Sequence, residues 1–164
     1  MFAFVAFTGA RRSEMTRVLI DDLDLVAGTV LIRERKRSCV RSTTFRRVEI
    51  PTKLVEILKE WMDKHPGGQF AFGHDFEDSK RPLIQPLTVD QARVQFSKAL
   101  RDSKWDVIRG FHVFRHSYAS NLATKSVDQR IIDKHMGHQT EEMRRRYQHL
   151  APQVCRSAVE ALSS

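Results

Sequence analysis

The stretch VLIDDLDLVAGTVLIRERKRSCVRSTTFRRVEIP, residues 18–51, decides the fold class. Val, Ile, Leu and Thr alternate here with charged residues, which is the period-two pattern of strands that bury one face. Ala27-Gly28 supplies a tight turn between the first two runs. Three antiparallel strands are expected in VLIDDLDLV, TVLIRERKRS and TTFRRVEIP, with a longer basic loop around Ser38 to Ser42 joining the last two.

The flanks read as helices. MFAFVAF is apolar but too short for a signal peptide or a membrane span, and reads as the end of a buried helix whose beginning is missing. It runs into Thr8-Gly9, where glycine permits a helix stop, and Ser13-Glu14-Met15 begins a short helical turn. Pro51 and Thr52 open a helix with Leu54, Val55, Leu58, Trp61 and Met62 on one stripe. A loop with a short buried piece at Phe70-Ala71-Phe72 follows, then an irregular stretch from Phe76 to Pro86. Thr88 caps a helix to about Arg101, carrying Val89, Ala92, Phe96 and Leu100 on its apolar face. Further helices are expected over 112–124, 127–135, 140–147 and 152–162. The order gives an α+β, mainly α domain: helices around a small three-stranded antiparallel sheet.

Charge narrows the function. The 164 residues carry a net charge of +8, which calls for a polyanionic partner, nucleic acid before an anionic membrane surface. The plainer alternative is a basic surface with no such partner. Between Arg33 and Arg47 seven cations (Arg33, Arg35, Lys36, Arg37, Arg41, Arg46, Arg47) face one acid, Glu34, and Arg144-Arg145-Arg146 precedes Tyr147. Neither run is a basic amphipathic helix with an aromatic face, so nucleic acid is favoured over membrane. Cys39 and Cys155 stand far apart without CxxC spacing, which suggests reduced thiols and a cytoplasmic setting.

On a helix His112, Arg115 and His116 fall within an arc of roughly 100°, beside an apolar arc of Phe111, Phe114, Tyr118 and Leu122. Each histidine alone could be a satisfied, half-buried side chain. A zinc reading of His112 and His116 lacks the glutamate of HExxH and a third ligand. Gly137-His138 follows a short helix containing Ile131 and Ile132, and Tyr147 stands nine positions beyond His138. Tyr147 alone could be a packing residue, and Arg11 one of a solvated pair. Together, two arginines, two histidines and a tyrosine in a basic chain suit a phosphodiester: cations for the phosphate, imidazoles for protons and a phenol as nucleophile.

TGARRSEM, HVFRHSYASNLA and MGHQTEEMRRRY resemble, in this order, the boxes of the tyrosine recombinases, the phage-integrase family of site-specific DNA recombinases. The resemblance covers nearly the whole chain. Met136 and Phe114 stand where leucine is common in the family, and both stay apolar. It implies a catalytic set of Arg11, Lys36, His112, Arg115, His138 and Tyr147, with Tyr147 the nucleophile and Lys36 the hairpin lysine. It also implies that Glu14 and His116 orient the arginines, and that Arg33, Arg35, Arg37, Arg41, Arg46, Arg47, Arg144 and Arg145 contact DNA phosphates. Further implications are double-stranded DNA as substrate, a homotetramer on DNA, a last helix docked on a neighbouring protomer or else packed on its own domain, and no metal or cofactor. The first box begins at residue 8, so residues 1–164 are expected to be the catalytic domain without its first helix and its N-terminal core-binding clamp. The alternatives are a non-catalytic DNA-binding fragment or remnant of such a recombinase, and a type IB topoisomerase-like enzyme.

Overall fold

Period two holds through the centre of the chain. In the computed structural model, which describes residues 1–34, 44–74, 85–108 and 110–137, strand β2 (Thr29–Glu34) pairs antiparallel with β3 (Thr44–Glu49). The register sets Val30 opposite Val48 and Ile32 opposite Arg46. Val30, Ile32 and Val48 are fully buried, and Phe45, Arg47 and Glu49 alternate with them on the outer face.

The expected first strand is divided. Only Leu23–Asp24 (β1) joins the sheet, in the order β1-β2-β3. Its upstream part turns instead to residues 69–71: Leu19 bridges Phe70, Ile20 N–H donates to the Gln69 carbonyl (2.9 Å), and Ala71 N–H donates to the Val18 carbonyl (2.9 Å). Between the two lies a 3-10 turn, Ile20–Asp22, closed by Leu19 N–H donating to Asp22 Oδ2 (2.9 Å). A short acidic side chain that bonds its own backbone competes with the ladder, and here it wins.

Helix α1 (Phe2–Thr8) ends at Gly9, whose φ of 63° is left-handed and whose N–H donates to the Val5 carbonyl. A β-carbon at Gly9 would also lie 2.6 Å from Tyr118 Cδ1, so only glycine allows the later helices to approach. A short helix α2 (Arg12–Met15) follows, and α3 (Thr52–Asp63) starts after Pro51 and buries Leu54 and Leu58. Gly73–His74 (β4) and Gln85–Pro86 (β5) pair as a two-stranded ribbon, so the end of the stretch expected to be irregular is ordered. Thr88 caps α4 (Val89–Leu100) reciprocally with Gln91, and Ala92 and Phe96 face the core. Helix α5 (His112–Thr124) and α6 (Gln129–Met136) complete six α-helices among the described residues. Helix α6 is capped by Asp128, which accepts from Arg130 N–H at 2.7 Å.

One core joins α1, the sheet, α3 and α4, and a satellite of Ala119, Ala123, Ile132 and Met136 joins α5 to α6. Phe2, Phe96, Phe111 and Phe114 form an aromatic group between α1, α4 and α5, with centroid separations from 5.0 to 6.3 Å. On α5 the buried face is Arg115, Ala119 and Ala123, while Phe114, Tyr118 and Leu122 are half-buried. The two alanines let α5 sit close, and the inward position one turn before them is an arginine. No helix among the described residues is long and apolar enough to cross a membrane.

Candidate active site

Arg115 is the centre of the site. It is 3% exposed, and its guanidinium donates through Nη1 to the Gly9 carbonyl (2.6 Å) and through Nη2 to the Met136 carbonyl. Both acceptors lie at helix C-termini, where carbonyls lack intrahelical partners and carry partial negative charge. One cation from α5 therefore ties the ends of α1 and α6 together.

A second buried arginine does related work from the sheet. Arg46 occupies an inward position of β3, with its side chain 6% exposed. Its Nε donates to the His135 carbonyl (2.8 Å), Nη1 to Glu34 Oε1 (2.5 Å), and Nη2 to Glu14 Oε2 (2.7 Å). Glu14 in turn accepts from the Arg11 backbone N–H (2.8 Å) and from Arg11 Nη1 (2.7 Å). Burial pushes the Glu14 carboxyl up, but Arg46 and then Arg11 outweigh it and bring it down to about 2. Glu14 is thus a fixed anion that holds the Arg11 side chain, itself about one-third exposed.

Gly137 follows the two capped carbonyls with φ 69° and ψ −163°. A β-carbon there would overlap Glu34 Oε1 and come within 3.2 Å of Arg46 Nη1. The chain leaves α6 pressed against an ion pair, and the glycine is required both by its dihedral angle and by that contact.

His135, at the end of α6, joins a third arrangement. Its Nε2 lies 2.7 Å from Glu49 Oε2 and its Nδ1 lies 2.6 Å from the Tyr118 hydroxyl. A carboxylate can only accept, so Nε2 donates to Glu49, and in the tautomer this leaves for a neutral ring Nδ1 accepts from the phenol. Burial first, then the Glu49 charge, pushes the Tyr118 hydroxyl up to about 12, which keeps it a donor.

Arg11, His112 and Arg115 line one cleft of about 410 Å³, together with Arg12 and Arg93. His112, the first residue of α5, is exposed at its mouth, and His116 is half-buried one turn further on. Of the proposed set, Lys36, His138 and Tyr147 lie outside the described residues. So do Arg35, Arg37, Arg41, Arg144 and Arg145, and the helices expected over 140–147 and 152–162.

One expected phosphate contact, that of Arg46, is corrected. Arg46 is buried and its donors are taken by Glu14, Glu34 and a carbonyl, so it holds the protein together rather than DNA. Arg33 is bound to Asp22 through Nε (2.8 Å) and Nη2 (2.6 Å), a two-point pair that also raises its own pKa. Arg47 is exposed on the outer face of β3, with Nη1 3.1 Å from Thr29 Oγ1. The signal that separates them is in the sequence: strict alternation puts position 46 in phase with Val48 and position 47 out of phase. Sequence reasoning also passed over His135, the polar role of Tyr118, and the cleft cations Arg12 and Arg93.

The chain belongs to the phage integrase family, whose model matches residues 1–154. A tyrosine recombinase of Agathobacter rectalis is 28% identical over 145 residues, covering 88% of this chain and 44% of that protein, so the chain spans less than half of this relative's length. Among solved structures, the catalytic domain of bacteriophage HP1 integrase is similar with a TM-score of 0.64 and 23% identity, over 97% of this chain and 78% of that one. The Tn1549 transposon integrase, solved in complex with transposon right-end DNA, is similar with a TM-score of 0.70 and 15% identity, over 99% of this chain and 58% of that one. Helices around a small three-stranded antiparallel sheet are thus the fold of a tyrosine recombinase catalytic domain.

Proposed function

We propose that this chain is the strand-cleaving and rejoining part of a site-specific DNA recombinase or integrase that works through a covalent 3′-phosphotyrosine. The observation that carries the reading is the convergence of Arg11, His112 and Arg115, from opposite parts of the sequence, on one cationic cleft. Family membership and a shared fold with an integrase solved on DNA support the same substrate, double-stranded DNA.

In this scheme Tyr147 Oη attacks the scissile phosphorus and gives up its proton with the help of His112. The bond from phosphorus to the 5′-oxygen breaks, and that oxygen takes a proton from Lys36. The phosphodiester becomes a phosphotyrosine ester, so a 5′-hydroxyl from a second strand can reverse the step without an outside energy source. Arg11 and Arg115 stabilise the non-bridging oxygens as charge builds on them, and His138 donates to one of them. Losing either arginine should cost on the order of 10²–10³ in rate, by analogy with the loss of an oxyanion donor. Glu14 and His116 orient the arginines. Exchange between two duplexes asks for several protomers, and a homotetramer on DNA suits it. Neither metal nor cofactor enters the scheme.

The test is a library of nicked duplexes randomised around the break, incubated with the chain and resolved on a denaturing gel. A covalent protein–DNA adduct is expected, and Tyr147→Phe should abolish it. Salt-sensitive DNA binding with no adduct on any duplex would overturn the enzymatic reading in favour of a non-catalytic DNA-binding remnant.

A further inference from the structure

The cleft holds more positive charge than one phosphate can use. A phosphodiester carries a single negative charge on two non-bridging oxygens, and Arg11, Arg115 and His112 already serve them. Arg12 and Arg93 line the same cleft, from α2 and α4. Among the described residues neither is engaged by an acid or a hydrogen-bond acceptor, whereas Arg46 is held by Glu14 and Glu34 and Arg33 by Asp22. Asp106 is the one acid among the described residues that lines the cleft.

Size and lining agree. At about 410 Å³ the cleft falls in the range that holds a whole small ligand, well beyond one phosphoryl group. Phe96, Leu100, Ile108 and Phe111 line the cleft beside the cations. Cations together with apolar side chains suit a nucleotide unit, with its phosphate and its less polar sugar. Arg93 and Ser97 also border a second depression along α4, where Lys98 and Arg101 continue the positive track.

We propose that Arg12 and Arg93 form a second phosphate subsite of this cleft, taking the phosphodiester next to the scissile one on the cleaved DNA strand. The assignment rests on the strand-exchange reading of the cleft and names two residues that reading does not use. Arg11 and Arg115 are oriented by Glu14 and by two carbonyls, and meet the phosphate that reacts. Arg12 and Arg93, on α2 and α4, draw in its neighbour and set the register of the strand. Their contribution is to binding, so it appears as counterion release rather than as a change in the chemical step.

The experiment measures the affinity of the chain for a fluorescein-labelled duplex by anisotropy over a series of KCl concentrations. Arg12→Ala and Arg93→Ala should each weaken binding and flatten the slope of log affinity against log salt, and the double variant should flatten it by about 0.9 in all. Arg93→Lys, which keeps the charge, should keep the slope and thereby separates charge from any effect on folding. A duplex with one methylphosphonate beside the break should lose the same slope with the unaltered chain, and Arg93→Ala should then add nothing. Unchanged slopes in both alanine variants, or full additivity of Arg93→Ala with the neutral linkage, would overturn the subsite. The adduct assay keeps the two proposals apart. Slope loss without adduct leaves the subsite standing and removes the enzyme, adduct with unchanged slopes does the reverse, and no DNA binding at all removes both.

Discussion

Replacing Arg46 by methionine should be among the most damaging single changes to this domain, by a route that pH exposes. Methionine fills much of the same volume, so the loss is electrostatic rather than a cavity. It removes the partner of Glu14 and Glu34, whose side chains are 3% and 11% exposed, and uncaps the His135 carbonyl. Breaking a buried pair by removing one member costs about 3–5 kcal/mol, because the other charge stays behind. Glu14 gives an independent scale. Its pKa falls from 4.5 to about 2 on folding, which corresponds to about 3 kcal/mol. The folded value is depressed, so this stability is present above pH 4.5 and is lost as pH falls through 2. In Arg46→Met, burial is opposed by Arg11 alone, and the Glu14 pKa rises. The variant's deficit should therefore be widest near neutral pH, narrow below about pH 4.5 and close only as pH falls through about 2, where Glu14 protonates in the parent as well. Urea unfolding followed by tryptophan fluorescence at several pH values reads this directly, Trp61 being tied to the core by its bond to the Ala71 carbonyl. A deficit below about 1 kcal/mol at neutral pH, the scale of a surface pair, would refute the reasoning. So would a deficit that does not change with pH.

Two further outcomes test the ends of α6. Gly137→Ala should destabilise the fold by about 1–3 kcal/mol from its backbone strain alone, and displace the Glu34–Arg46 pair as well; a thermal melt matching the parent would refute this. The Tyr118 hydroxyl, held up at about 12, should ionise late in an ultraviolet titration, and Tyr118→Phe should remove that phase. Because its folded pKa is raised, the stability linked to Tyr118 is complete below pH 10 and lost as pH rises through 12. Ionisation of both tyrosines with midpoints near pH 10 would contradict it.

Much of the fold was legible because its signals are local. Alternation in residues 29–34 and 44–49, the Thr88–Gln91 capping pair and the left-handed stop at Gly9 each depend on residues within a turn or a strand pair. The first strand was misread because Asp22 turns its side chain onto the Leu19 backbone and onto Arg33, a choice composition does not reveal. On α5 the aromatic residues suggested the buried face, yet the buried face belongs to Arg115, Ala119 and Ala123. Burying an arginine is favourable there only because carbonyls from two other helices meet it.

By itself, then, the sequence determined the element order, the antiparallel hairpin and the motif arginines and histidines, since period, capping and glycine conformation act between near neighbours. Which cations lie inside and which face a ligand was decided by tertiary structure. Arg46 meets the His135 carbonyl across 89 positions, and Arg115 meets the Gly9 carbonyl across 106. A guanidinium is an asset in the interior only where acceptors converge on it, and convergence over such separations exists only once the chain has folded.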